Sequence, residues 1–138
     1  HPDYIDRAIE KGFDVEVDIR QNEEPGFWLG HDEMEYQVDT PWVLQRTKNL
    51  WIHAKDFGSL DILMKLGMRV FYHEKESHTM IANTQVIWSH NIEEASQNSI
   101  IPLLESDKLQ VRKDIINNDI SNSYHIPYGI CSDYVGRW

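Results

Sequence analysis

Two carboxylates on one predicted strand are the residues of this sequence best suited to hold a metal ion. Glu16 and Asp18 lie in residues 13–20, where apolar and charged side chains alternate strictly. In a β-strand this alternation puts every second side chain on one face, so the two carboxylates project together, about 6 to 7 Å apart at the backbone. Such a pair needs a cation or a buried base between its charges, and Mg²⁺ and Ca²⁺ both prefer carboxylate oxygen. The alternative is a solvated strand face without a ligand.

A histidine follows the next extended segment. His31 comes directly after Gly30 and before Asp32, at the end of residues 27–32. Histidine titrates near neutral pH and can donate or remove a proton at a reacting oxygen. His31 is therefore a candidate acid–base residue near the carboxylate strand, and the alternative is a solvated loop histidine.

Further ionisable residues occur where later strands are predicted to end. His53 and Lys55 alternate with apolar residues in residues 50–55, and His73 ends residues 69–74. A lysine held inside a fold needs an anionic partner, which could be a phosphate or a carboxylate. For Lys55 the alternative is a structural ion pair with one of the carboxylates of the first strand.

The elements that must position these residues alternate between strands and short helices. Apolar periodicity, caps and glycine stops predict helices over 2–11, from 40 onwards, over 59–66 and over 106–117. The predicted strands are 13–20, 27–32, 50–55, 69–74, 85–90, 99–104 and 128–134. This order indicates βα units and a mainly parallel sheet. No glycine-rich phosphate turn follows a strand, so a barrel lacking some units fits better than an open doubly wound sheet.

Composition limits the class of protein. With 138 residues the chain has the length of one domain, and 13 Lys and Arg against 23 Asp and Glu give a formal net charge of −10. This charge disfavours nucleic acid as a partner, because the phosphates would be repelled. The single cysteine, Cys131, cannot form an internal disulfide, and no apolar run is long enough for a membrane span. We expect a soluble, cytoplasmic protein.

Together these motifs resemble the glycerophosphodiester phosphodiesterases and the wider phospholipase C-like phosphodiesterase superfamily. The resemblance is carried by Glu16-Val17-Asp18 on a strand and by Gly30-His31-Asp32 after it. Residues 51–55 are similar to the family's strand that carries an acidic ligand two residues before a lysine. The resemblance implies an α/β fold of the (β/α)₈ TIM-barrel type, with residues 1–138 as one domain. Because the family's His-Arg-Gly segment is absent, we expect the first strand to be missing.

The resemblance also implies a function, that of a metal-dependent phosphodiesterase of lipid metabolism that hydrolyses small glycerophosphodiester-type substrates by general acid–base catalysis. It implies Mg²⁺ or Ca²⁺ as the cofactor, with Glu16, Asp18 and His53 as ligands. His53 departs from the family here, since the usual third ligand is acidic. His31 and Lys55 are the expected catalytic residues, and Lys55 and His73 are expected to contact the substrate.

Two other interpretations follow from the same residues. A degenerate barrel without catalysis would bind a phosphorylated ligand or a protein partner, because loss of one of two acid–base groups costs about 10² to 10⁴ in rate. In a small structural α/β domain, the carboxylates and histidines would be surface residues without a catalytic or binding role. Metal binding separates the last interpretation from the others. We also expect the unpaired edge of an incomplete barrel to favour a homo-oligomer.

Overall fold

The computed structural model describes residues 1–22, 25–104 and 126–135, and the chain divides into two compact units. The first unit comprises His1–Glu74 and Ala82–Thr84. The second comprises the described parts of Lys75–Ile81 and Gln85–Trp138. The predicted helix over 106–117 lies outside the described residues, and the prediction of one domain over residues 1–138 stays a prediction.

The first unit is built on a five-stranded mixed sheet with three helices. In chain order its elements are α1 (Pro2–Glu10), β1 (Val15–Arg20), β2 (Phe27–Leu29), β3 (Tyr36–Val38), α2 (Thr40–Gln45), β4 (Leu50–Ala54), α3 (Phe57–Lys65) and β5 (Val70–Phe71). The strand order is β3-β2-β1-β4-β5. Strands β1, β4 and β5 run parallel, whereas the β2–β3 hairpin joins β1 in antiparallel fashion.

Capping side chains fix where the helices begin. The carboxylate of Asp56 accepts a hydrogen bond from the backbone N–H of Ser59 at 2.7 Å, and Asp39 caps α2 in the same way. Asp56 also accepts from the backbone N–H of Gln21 at 2.8 Å. One carboxylate therefore ties the start of α3 to the residue that follows β1. At the other end of α3, Gly67 adopts a positive φ of 77°, a conformation that ends a helix at little cost for glycine.

The alternation of β1 gives the sheet an apolar face and a polar face. Val17 and Ile19 are buried in the core of the first unit, together with Leu50, Ile52 and Ala54 of β4. The buried members of this core are Ile5, Val17, Ile19, Phe27, Leu29, Val38, Val43, Leu50, Ile52, Ala54, Leu63, Met68 and Val70. Because the core includes residues of all three helices, the opposite face of β1 is left to its charged side chains.

The second unit contains a four-stranded mixed sheet. Its elements are β6 (His78–Met80), β7 (Ile87–Ser89), a short 3-10 helix (Ile92–Glu94), β8 (Ser99–Pro102) and β9 (Gly129–Cys131), with strand order β6-β7-β8-β9. Strands β6 and β7 are antiparallel, and β7, β8 and β9 run parallel. Buried Ala95, Ile101 and Leu103 form a small core with Ile92 and Ile130.

The prediction of a (β/α)₈ barrel is wrong, with or without a missing strand. Such a barrel needs eight parallel strands in one closed sheet and about as many helices. The described residues instead form a five-stranded and a four-stranded mixed sheet with three α-helices. The strand–helix–strand order of β4, α3 and β5 is as predicted. The antiparallel strands β3 and β6 were not anticipated, because three residues carry too little alternation to reveal a strand or its direction.

Candidate functional site

The carboxyl ends of β1 and β4 bring three ligand-type side chains together. Glu16 and Asp18 lie on β1, and His53 lies on β4 directly beside Asp18 in the parallel register. One ligand atom from each of the three residues lies within 4.8 Å of the other two, and all three side chains are half-buried. The structure thus makes the three predicted metal ligands neighbours, although His53 is far from the carboxylates in sequence.

Asp18 is the centre of this cluster. Its Oδ1 lies 2.9 Å from Nδ1 of His53 and 3.3 Å from Nζ of Lys55. The side chains of Asp18 and His53 are each 12% exposed, and that of Lys55 is 18% exposed. Oδ1 is nevertheless buried without an aligned hydrogen-bond donor. Buried carboxylate oxygens normally accept hydrogen bonds or bind cations, and this oxygen has Lys55 and His53 at ion-pair distance.

The charges around Asp18 keep its carboxyl group ionised. Burial raises the pKa of Asp18, but the interaction with His53 and the positive charges of Lys55, His53 and His31 together outweigh burial. The pKa therefore lies below its ordinary value. An ionised carboxylate is the form that a metal ion requires.

The donor set fits a divalent cation. Two carboxylates and one imidazole are established ligand types for such ions, and three protein ligands leave coordination positions for water or substrate. The burial of Asp18 Oδ1 without an aligned hydrogen-bond donor supports the same interpretation. Glu16, Asp18 and His53 are thus the residues that would hold such a cation.

Aromatic stacking orients the histidine of the set. The His53 ring lies nearly parallel to the Phe71 ring, with centroids 5.1 Å apart and an interplanar angle of 3°. It also stacks on the His73 ring at 4.4 Å and 8°. The predicted substrate residue His73 is therefore a direct neighbour of a predicted metal ligand. Phe71, which pairs with His53 in the β4–β5 register, is a supporting residue that the sequence did not single out.

His31 lies at the same end of β1, in the loop after β2. Its Nδ1 is 2.9 Å from the carboxylate of Asp32, and its side chain is 75% exposed. Because an ionised carboxylate can only accept, Nδ1 is the donor in this contact, and Nε2 is the second ring nitrogen. His31 lines an open cleft of about 230 Å³ together with Glu16 and Asp18. The loop thus places an exposed histidine at the same cleft as the two carboxylates.

Two further residues hold the His31 loop in place. The carbonyl of His31 accepts a hydrogen bond from Nη2 of Arg20. Gly30 has a φ of 147°, and a Cβ there would lie 1.9 Å from the Glu33 carbonyl oxygen, so only glycine fits this turn. Arg20 was not predicted as a site residue from the sequence. Its position two residues after Asp18, on the same strand face, was the signal that could have revealed it.

Comparisons with family models, with curated proteins and with solved structures find no match to this chain. The functional interpretation therefore depends on the geometry of the site and on the motifs that carry the resemblance. Among the helices of the described residues, none has both the length and the apolar character needed to cross a membrane.

Proposed function

We propose that the protein is a divalent-cation-dependent phosphoric diester hydrolase that acts on glycerophosphodiester-type substrates. The observation that carries the proposal is the convergence of Glu16, Asp18 and His53 within 4.8 Å, with the Lys55 ammonium 3.3 Å from the same Asp18 carboxylate. The motifs around Glu16, Asp18 and His31 support the substrate class, since they resemble those of glycerophosphodiester phosphodiesterases.

Lys55 supplies a positive charge for the phosphate. Its side chain is only 18% exposed and its Nζ faces an ionised carboxylate, so the ammonium is held at the cluster. A phosphodiester oxygen can approach the same ammonium, which offers three N–H donors. A bound divalent cation would act as a Lewis acid that neutralises negative charge on the phosphate oxygens. Lys55 then reinforces that neutralisation from a fixed position.

The histidines supply proton transfer. With Nδ1 of His31 facing Asp32, Nε2 is the nitrogen that accepts a proton from an attacking hydroxyl and then returns it to a leaving oxygen. His73 stacks beside His53 at 4.4 Å and lies near enough to the cluster to contact the substrate or to provide the opposite transfer. Cleavage of the phosphorus–oxygen bond then releases an alcohol and a phosphomonoester or cyclic phosphate.

The proposal is tested by assaying the whole chain with a glycerophosphodiester, with a divalent cation and with a chelator. We expect hydrolysis that depends on the cation. Lys55→Met should lower kcat/KM by at least about 100-fold, because it removes the fixed charge near the phosphate. Lys65→Met is the matched control, since Lys65 is a solvent-exposed lysine on α3 that pairs with Asp61. This variant should retain wild-type activity.

Three results would contradict parts of the proposal. If the protein binds a divalent cation and phosphate but releases no product, the interpretation as a non-catalytic binder replaces the proposal. Equal activity of wild type, Lys55→Met and Lys65→Met would remove Lys55 from the mechanism. Hydrolysis that is unaffected by a chelator would remove the cation.

A further inference from the structure

We propose that the site selects a transition-metal cation of the Mn²⁺ type over Mg²⁺ and Ca²⁺. This inference rests on the proposed cation site and identifies the kind of ion it takes. It differs from the expectation of Mg²⁺ or Ca²⁺ that the family resemblance carries.

The chemistry of the donors favours this choice. Mg²⁺ and Ca²⁺ are hard cations that are bound almost entirely through oxygen. Imidazole nitrogen instead suits first-row transition metals, with which it forms stronger bonds. In this site one of the three donors is the His53 imidazole, where an acidic residue would have supplied oxygen. A nitrogen ligand costs Mg²⁺ and Ca²⁺ affinity while it adds affinity for Mn²⁺.

The charge of the site points in the same direction. Hard cations depend on the number of negative ligands, and the cluster offers two carboxylates, Glu16 and Asp18. The Lys55 ammonium, 3.3 Å from Asp18, offsets one of these charges. Coulombic attraction for a divalent ion is therefore modest, and the bond to the imidazole contributes a larger share of the affinity.

His53 is held inside the ligand set. Its side chain is 12% exposed, its Nδ1 faces Asp18 at 2.9 Å, and its ring packs against Phe71 and His73. Swinging the imidazole out to make room for a water ligand would break these contacts. A cation bound by both carboxylates consequently has an imidazole nitrogen beside it, and Mn²⁺ can use that nitrogen more effectively than Mg²⁺.

The test compares Mn²⁺, Mg²⁺ and Ca²⁺ by titration calorimetry of the whole chain, without substrate. Mn²⁺ and Mg²⁺ are the most informative pair, since both accept octahedral oxygen ligands and differ in their affinity for nitrogen. We expect wild type to bind Mn²⁺ at least about tenfold more tightly than Mg²⁺. In His53→Asp this ratio should fall by about tenfold. His78→Asn, which alters a histidine paired with Glu94 in the second unit, should leave the ratio unchanged.

A spectroscopic measurement covers the case in which His53→Asp does not fold. Pulsed electron paramagnetic resonance of Mn²⁺ bound to wild type should show coupling to a nitrogen ligand, and His78→Asn should retain it. Equal affinity for Mn²⁺ and Mg²⁺, or bound Mn²⁺ without nitrogen coupling, would overturn the inference, while cation-dependent hydrolysis would still support the proposed function. If no divalent cation binds at all, both proposals are wrong.

Discussion

The two ends of the polar face of β1 use an aspartate in opposite ways. At the amino end, Asp14 accepts hydrogen bonds from Asn49 at 3.3 Å, from Trp51 Nε1 at 2.9 Å and from Arg69 Nη1 at 3.3 Å. At the carboxyl end, Asp18 has close positive neighbours, yet its Oδ1 has no aligned donor. The Asp14 carboxylate accepts three hydrogen bonds, whereas the Asp18 Oδ1 is ion-paired with two basic side chains and has no aligned donor.

The polar residues at the amino end of β1 belong to a hydrogen-bond network centred on Arg69. Arg69 also donates to the carbonyls of Lys48 and Leu50, at 2.6 and 3.0 Å, and its guanidinium lies 4.0 Å above the Trp51 ring. This network fastens the amino ends of the parallel strands. Ligand sites of open α/β sheets lie at the carboxyl ends of parallel strands, where loops converge. The amino end therefore joins neighbouring strands through hydrogen bonds, and the carboxyl end is where the proposed cation ligands Glu16, Asp18 and His53 converge.

The largest expected effect is on catalysis, from a change in the loop at the carboxyl end. His31→Ala should lower phosphodiesterase turnover by at least about 100-fold, because it removes the proposed proton-transfer group. Its melting temperature should barely change, since the side chain is 75% exposed. Steady-state kinetics and thermal unfolding of the same preparation check both expectations. Wild-type turnover in the variant, or a collapse of its stability, would assign His31 a different role.

The next effect should be on stability, from a change at the amino end. Arg69→Ala removes the three hydrogen bonds and the stacking on Trp51, and should lower the free energy of unfolding by about 2 to 3 kcal/mol. Arg69→Lys keeps the charge but loses the planar fork, so its loss should be intermediate. Denaturant titration measures both. Under conditions where the variants are folded, their cation affinity should match that of wild type. A loss of cation affinity in parallel with stability would show that the two ends of β1 do not act independently.

The smallest effect concerns the helices that lead into the amino ends of β1 and β4. Arg46 donates two hydrogen bonds to Asp6, at 2.6 and 2.8 Å, and so joins the end of α2 to α1. The hydrogen bond from Arg46 lowers the pKa of Asp6 and outweighs the opposing effect of burial. The pair therefore stabilises the fold above the ordinary aspartate pKa, and this contribution is lost as the pH falls through the lowered value in the folded state.

Asp6→Asn measures this contribution. At pH 7 the variant should lose a few tenths to about 1 kcal/mol, since the pair is partly exposed. The difference from wild type should shrink as the pH is lowered below about 4. Glu10→Gln, on the same helix, is the control for simple charge removal. A difference that stays constant with pH would show that the ion pair contributes nothing to stability.

Local periodicity predicted the part of the site that lies on one strand. The alternation of residues 13–20 places Glu16 and Asp18 on one face, and the same rule links Asp14 and Arg20 to them. The three helices of the first unit also follow from local signals, namely a proline at the start of α2 and glycines after α1 and α3. Each of these features is decided by neighbouring residues.

Features that depend on pairing between distant strands could not be predicted in the same way. The parallel register that puts His53 beside Asp18, and the stacking of His73 on His53, arise from how three strands pair. The β2–β3 hairpin pairs with the edge of β1 through β2. The alternation within β1 does not indicate which strand pairs with it. The barrel prediction failed at this level, because a βα rhythm is shared by open and closed sheets.

The most direct test of the account compares the two aspartates by divalent-cation titration calorimetry. Wild type should bind one Mn²⁺ at the carboxyl end, and Asp18→Asn should weaken that binding by at least about 100-fold through loss of a ligand. Asp14→Asn changes the same residue type on the same strand face, and should leave Mn²⁺ affinity unchanged while it lowers the melting temperature. If Asp18→Asn binds Mn²⁺ like wild type, or if Asp14→Asn loses affinity equally, the carboxyl end is not a metal site.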